Sequence, residues 1–526
     1  MRNYKFYLLF VGLLALNSCT EDFAELNTNP YQITDESLKQ NFNHIGAYFP
    51  SMLKPIIGDQ VEHNLLNDSY VRHYATPTPF VGGVNNTTYY IRWNHFYWNN
   101  VYNKIMAPAR QVIQIAEADG YDMFVQWATL IKIVAASRLS AYHGPIIYSN
   151  YGTQGAVMYD SEQELYNKWF SELDAIVAAF SANTSYTGFK NFDASYGGNV
   201  SGWLKLANSL RLQLAIRISK VAPALAKTQA EKAVNAPGGL ITTNADNFMI
   251  SRYGDVFQEA RICFSWGDTR MSASMESILG GYNDPRADKY WAPVSNSALV
   301  ADHPNFPYKG IRNGAFLASK DLHLPYSTIN ESFKTAGKRK VLDAAEVHLM
   351  LAEGSLRGWS VGGTAKDHYE AGVKASFAYW GAGGVDAYLA DTNTGTPFDY
   401  DDVVESGAVN DFTSRITNTV PWDEAASNEI KLEKIITQKW IAAYTNSVEA
   451  WVDHRRTGYP KLPYNYQNDS SADWGIIPAD DFLRRHPFKV DERTSNAAGY
   501  ADAVTKLGGK DEIGTRLWWD TGGSNF

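Results

Sequence analysis

The sequence predicts a mainly α-helical fold with an irregular, loop-rich region set into it. Three observations carry this expectation. Apolar residues recur every three or four positions over long stretches before residue 220 and again after residue 343, the spacing of a buried helix face. These stretches come in pairs joined by turns, as in helix-hairpin repeat proteins. Between the two blocks, residues 238–340 are rich in Gly, Asn, Pro and aromatics and carry no helical period.

The chain begins with Arg2 and Lys5, then an apolar run from Phe6 to Leu16, then Asn17-Ser18-Cys19. That is the layout of a secretory signal peptide. The run is too short to cross a bilayer, which takes about 20 residues. Leu16-Asn17-Ser18-Cys19 looks like a bacterial lipobox and predicts a signal peptide over 1–18, cleavage before Cys19, and lipid on its thiol. Residues 19–34 then read as a polar tether. Helical scaffold is expected over about 35–237 and 341–446, with loop-rich regions over about 238–340 and 447–526.

Asp35 to Phe49 is the first helix candidate, and Thr76 to Tyr90, with two Pro and two Gly, reads as a loop. Tyr97, Val101, Ile105, Ala109, Val112 and Ala116 form a stripe in which Pro108 predicts a kink. Phe124, Trp127, Ile131 and Val134 form the next stripe after Gly120. Ser161 to Glu164 matches a capping box ahead of Leu165, Trp169, Leu173, Ile176 and Phe180. Trp203, Leu206, Leu210, Leu214 and Ile218 mark a fourth helix. Asp343 to Arg357 and Lys366 to Trp380 form a pair that resembles a tetratricopeptide unit, whose period is about 34 residues. Asn428 to Tyr444 is the last predicted helix.

Composition bounds the function. The 526 residues are 45% hydrophobic and 20% charged, enough for a large core. No stretch after the leader approaches 18 unbroken apolar residues. The formal net charge of −9 becomes −11 once Arg2 and Lys5 are removed, which argues against nucleic acid as a partner. With Cys19 lipidated, Cys263 has no disulfide partner. HExxH, GxSxG, GxxxxGK[ST], GxGxxG and CxxC are all absent, and the 11 histidines show no metal-ligand spacing. No catalytic residue, metal or cofactor is expected. Asp391-Thr-Asn393-Thr-Gly395, with Asp399, Asp401 and Asp402, offers calcium-type oxygens but lacks EF-hand spacing and reads as a solvated turn.

Several motifs occur together. They are Asp22-Phe-Ala-Glu-Leu-Asn-Thr-Asn-Pro30, Ala345-Glu-Val-His-Leu-Met-Leu-Ala-Glu-Gly-Ser-Leu-Arg-Gly358, Ile436-Thr-Gln-Lys-Trp-Ile-Ala442, Glu449-Ala-Trp-Val-Asp-His-Arg-Arg-Thr-Gly-Tyr-Pro460 and Thr515-Arg-Leu-Trp-Trp-Asp520. With Arg484-Arg485-His486-Pro487, Glu492 and Asn496, they resemble the SusD/RagB family of nutrient-binding outer-membrane lipoproteins, from Cys19 to about Asp520. His486 departs from the aromatic usual before that proline. The resemblance implies a SusD-like fold of tetratricopeptide-like helix pairs topped by loops, and no enzymatic activity. It implies a lipoprotein on the cell surface that binds a glycan or similar nutrient and caps a SusC-like TonB-dependent transporter. The Glu21-Asp22 pair is similar to the surface-export signal of such lipoproteins.

The family motif itself reads as structural: Trp440, Tyr444 and Trp451 as core, Arg455 and Arg456 as binding groups of their own fold, Asp453 as partner to one of them. A sugar would need ring faces and polar groups in loops. Two groups qualify. Tyr89, Tyr90, Trp93 and Trp98 lie near Asn85, Asn86, Arg92 and Asn94; Trp266, Tyr282, Tyr290 and Trp291 lie near Asp268, Asn283 and Arg286. A surface glycoside hydrolase, or a structural lid or adhesin without its own ligand, are the alternative readings.

Overall fold

The computed structural model describes residues 35–79, 86–252, 255, 257–392 and 395–526. The expected lipidation site Cys19, the tether, Asn85 and Asn393 lie outside the described residues. Five helices follow one another in the first half: α1 (Ala107–Asp119), α2 (Asp122–His143), α3 (Glu162–Ala182), α4 (Val200–Arg217) and α5 (Pro223–Asn235), each packed on the next. After a short helix α6 (Ala273–Gly281) come α7 (Ala344–Leu356), α8 (Ala365–Trp380), α9 (Asn428–Ala442) and α10 (Ser447–Thr457). A last helix, α11, spans Ala497–Leu507. Helix α7 packs on α8 and α9, and α4 touches α7 and α10, joining the two blocks. Two small antiparallel sheets tie the irregular region down. Tyr74–Ala75 pairs with Arg270–Met271, and Phe248–Ser251 pairs with Lys338–Leu342.

All four predicted stripes are buried along their length. Ser161 and Glu164 form the capping box, and Asp343 caps α7. Pro108 falls in the first turn of α1, just after a widened π-helical turn over Tyr102–Met106. Proline cannot donate to the carbonyl four residues back, and the widened turn before it accommodates that loss.

Four elements depart from expectation, one of them α11, which stands in the 447–526 region expected to be loop-rich. The first helix candidate is broken: Asp35–Lys39, Asn43–Gly46 and Tyr48–Leu53 are separate, with Asn41 at φ 53° and Phe42 at φ 62° between the first two. Helix α6 stands inside the region predicted to be irregular, capped by Ser272 and buried from Ala273 through Gly280. A helix buried on every side shows no stripe. Helix α10 stands where loop was expected. It is buried at every position although it contains Glu449, Asp453, His454, Arg455 and Arg456.

Burial of α10 is made tolerable by ion pairs to α4, α7 and α9. Arg217 meets Glu449 at 2.6 Å. Lys439 meets Asp453 at 2.7 Å and Glu346 at 3.6 Å. Arg456 meets Asp453 at 2.9 Å and Glu353 at 2.6 Å, and Arg357 meets Glu353 at 2.8 Å. Burial alone would raise the Glu353 pKa, but Arg456 and Arg357 outweigh it and bring it to about 2. Of the two motif arginines, Arg456 is thus the one that pairs with Asp453, which it shares with Lys439. Arg455 instead lies 3.5 Å from the ring centre of Trp451 and 4.8 Å from that of Trp519, and donates to the Arg484 carbonyl at 2.7 Å.

Candidate ligand-binding surface

The structure separates the eight candidate rings. Tyr89, Trp98, Tyr282, Tyr290 and Trp291 belong to the core, a correction to their assignment as a ligand platform. Tyr290 stacks on Tyr444 at 4.3 Å, and its hydroxyl donates to the Ile441 carbonyl at 3.1 Å. The Tyr282 hydroxyl donates to the Asn418 carbonyl at 2.9 Å. Tyr89 accepts from Arg72 at 3.2 Å, Trp98 meets His143 edge-on at 5.2 Å, and Trp291 meets Tyr74 edge-on at 5.2 Å. An amphipathic ring buries readily once its polar end finds a backbone or side-chain partner, so polar neighbours in sequence do not place it at the surface. Arg286 is likewise internal, paired with Asp284 at 2.6 Å. Trp93 is half-buried beside Arg92, in a turn held by Asn86. Tyr90 and Trp266 remain outside, 36% and 43% exposed.

Two rings that sequence reasoning passed over are more exposed still: Phe316 at 49% and Tyr466 at 53%. Their sequence neighbours Ala315, Leu317 and Gln467 line a small recess of about 20 Å³, together with Thr76, Thr78, Thr87, Thr88 and Arg312, among others. The recess is assembled from distant segments. Gln467 N–H donates to the Gly314 carbonyl at 2.6 Å, and Asp469 N–H to the Thr88 carbonyl at 2.7 Å. Arg312 spreads between Phe412 and Tyr466, 5.9 Å from each ring centre, and donates to the Asp411 and Tyr464 carbonyls. On the far side the Thr78 hydroxyl donates to Asp268 at 3.2 Å. Lys320 donates to Asp268 at 2.5 Å and to the Trp266 carbonyl at 3.0 Å, which links the Trp266 backbone to Thr78 through Asp268. Hydroxyls, an amide and a guanidinium beside open ring faces suit a polar ligand with an apolar side. Among the described residues, the recess lining holds no carboxylate, histidine or cysteine.

A buried histidine braces the segment that carries Phe316. Asn410 accepts from the Phe316 N–H at 2.8 Å and donates to its carbonyl at 2.7 Å, and Glu405 accepts from the Ala318 N–H at 2.7 Å. Asp402 accepts from Tyr326 and Asn410, both at 2.7 Å. His323 sits between, its Nδ1 3.1 Å from the Ser319 carbonyl and its Nε2 3.8 Å from Asp402 and 3.7 Å from Glu405. Both ring nitrogens face acceptors only, so the site favours the imidazolium. Burial by itself would push the imidazole pKa down, but Asp402, the Ser319 carbonyl and Glu405 outweigh it and hold it above 6.5. A raised pKa contributes stability that is present at low pH and lost as pH rises through it. The thermal-stability gap between wild type and His323→Gln should therefore be widest near pH 6 and shrink toward alkaline pH. A gap independent of pH would show the ring to be neutral. Tyr326 donates to Asp402 but titrates far above this range. Glu276, near Tyr326 and pushed up to about 7 by burial, is present in both proteins and so drops out of the gap between them.

One other group of potential ligating residues is buried. His63, Asp68 and Glu259 offer atoms within 4.8 Å of one another. Arg339 lies 2.6 Å from Glu259 and 3.2 Å from His63 Nδ1, so a cation already stands in that cluster. Asp402, one of the calcium-type oxygens, is spent on Tyr326 and Asn410.

A family model described as SusD-like, "Susd and RagB outer membrane lipoprotein", matches residues 25–520. The chain belongs to the SusD-like family. A chitin-binding SusD homolog from Flavobacterium johnsoniae is similar at 40% identity and a TM-score of 0.86, covering 92% of this chain and 100% of its own. A SusD homolog from Bacteroides vulgatus is similar at 34% identity and a TM-score of 0.85, covering 93% of this chain and 100% of its own. A SusD-like protein from Bacteroides thetaiotaomicron follows at 30% identity and 0.82, covering 91% and 99%. Comparison with curated protein sequences returns no match. This SusD-like protein has the mainly helical architecture of these relatives. No described helix is long and apolar enough to cross a membrane.

Proposed function

We propose that this SusD-like protein is a non-catalytic, lipid-anchored glycan-binding protein on the outer face of the outer membrane, which passes its ligand to a SusC-like TonB-dependent transporter. The observation that carries the binding function is the exposure of the rings Trp266, Phe316 and Tyr466 in the loops that build a small polar recess. Family membership supports the membrane setting and the transporter partner, with Cys19 as the lipid site. Similarity to a chitin-binding homolog makes oligomers of N-acetylglucosamine the first ligand to test. An N-acetyl sugar pairs a C–H face, which packs on a ring, with hydroxyl and amide groups that bond to threonine, glutamine and arginine.

Calorimetric titration of such oligomers into wild type, Trp266→Ala and Tyr466→Ala tests the assignment. Loss of a stacking ring is expected to weaken binding about tenfold or more, at roughly 1.4 kcal/mol per decade. Both rings are exposed, so the variants should keep the wild-type melting temperature. Raising salt should change little, because a neutral ligand brings no charge pairs to screen. Wild-type affinity in both folded variants would place the platform elsewhere. Release of new reducing ends on incubation with polysaccharide would favour a hydrolase instead.

A further inference from the structure

A second cavity, of about 200 Å³, opens near the Lys338–Leu342 strand, away from the recess lining. One water needs roughly 10–15 Å³, so this space is large enough for a ligand group. Four cationic side chains line it, Lys54, Arg252, Arg261 and Arg339, against two carboxylates, Asp59 and Asp255. Lys54 is committed to Asp255, and Arg339 to the buried Glu259 behind the wall. Among the described residues, no carboxylate lies within ion-pairing reach of Arg252 or Arg261.

Arg252 and Arg339 both pack against one ring. Each guanidinium carbon lies 5.4 Å from the centre of Phe257, which is itself buried. The buried Glu259, paired with Arg339, also attracts Arg252 without hydrogen-bonding to it. Nε and Nη1 of Arg252 are buried and, among the described residues, have no hydrogen-bond partner. A guanidinium presents parallel N–H donors that match two oxygens of one anion. Arg339, nine-tenths buried, supplies a charge fixed in place by Glu259 and His63.

We infer that this pocket binds an oxyanion, the carboxylate or sulfate group of an acidic saccharide or a free inorganic oxyanion, between Arg252, Arg261 and Arg339. The site is independent of the aromatic recess. Its charge requirement also separates it from that recess, where a neutral ligand suffices. An acidic group seated here would give the protein a preference by charge that the recess does not provide.

The test is calorimetric titration of sodium sulfate, sodium phosphate, glucuronate and glucose into the full chain at constant ionic strength set with chloride. Arg252→Ala, Arg261→Ala and Arg252→Lys are titrated in parallel. Saturable binding of at least one oxyanion to wild type is expected, with none for glucose. Each alanine variant should lose tenfold or more. Arg252→Lys, which keeps the charge but not the fork, should lose part of that. Melting temperatures in chloride show that the variants fold. Sulfate stabilises proteins generally, so the decisive thermal readout is a sulfate-induced rise in wild type that exceeds the rise in Arg252→Ala. Tighter binding of glucuronate than of sulfate or phosphate assigns the site to an acidic saccharide. The reverse order assigns it to a free inorganic oxyanion. Absence of saturable oxyanion binding to wild type, or wild-type binding in both folded alanine variants, overturns the proposal.

Discussion

Asp453→Ala should destabilise the protein by about 3–5 kcal/mol, the usual cost of removing one partner from a buried charge pair. The carboxylate is shared by Lys439 and Arg456, at 2.7 and 2.9 Å, and both cations are buried. Without it, Lys439 keeps only Glu346 at 3.6 Å, a carboxyl that burial pushes up toward neutrality. Arg456 keeps Glu353 but loses its second anion. These residues join α7, α9 and α10, so the loss should appear in global unfolding rather than in a loop. Ligand affinity of the folded fraction should be unchanged, since Asp453 is buried in α10 and is not part of the recess. A variant that melts like wild type yet fails to bind would show that the motif reaches the ligand after all.

Trp127→Ala should cost a similar amount, about 3–5 kcal/mol, for a different reason. Trp127 is fully buried on α2. Phe49 stacks on one side at 3.6 Å and Phe189 at 4.2 Å, and Trp203 meets it edge-on at 5.3 Å. Truncation removes the buried ring and leaves a cavity that three separate segments must collapse to fill. The indole N–H has no hydrogen-bond partner among the described residues, so Trp127→Phe should cost much less. Denaturant midpoints for the two variants give the comparison. Equal losses in both would mean that the N–H, not the ring volume, matters at this position.

The exposure of the proposed ligand-binding rings was partly legible. Trp266 and Tyr90 could be picked out as loop aromatics, and they are exposed. Phe316 and Tyr466 could not, because nothing in Gly314-Ala-Phe-Leu or Tyr464-Asn-Tyr-Gln distinguishes an exposed ring from a core ring. Conversely, Tyr290 and Trp291 stand among polar residues yet lie against Tyr444 and Tyr74. Direction of a side chain in irregular backbone depends on which distant segment lies next to it.

The sequence by itself determined the elements whose cause is local. The stripes of α1 to α4 follow from a 3.6-residue period, and the starts of α3 and α7 from Ser161 and Asp343 as caps. Family membership was also legible, since the motif residues occur as contiguous runs. Only the tertiary structure decided where pairing is non-local. Helix α10 reads as polar, and its burial depends on cations and carboxylates contributed by α4, α7 and α9. The recess needs Asp469 against Thr88 and Gln467 against Gly314; the brace beside Phe316 needs Tyr326 against Asp402, 76 residues apart. A hydrogen bond or ion pair between such positions leaves no periodic trace in either segment, because neither partner's neighbours in sequence share its environment.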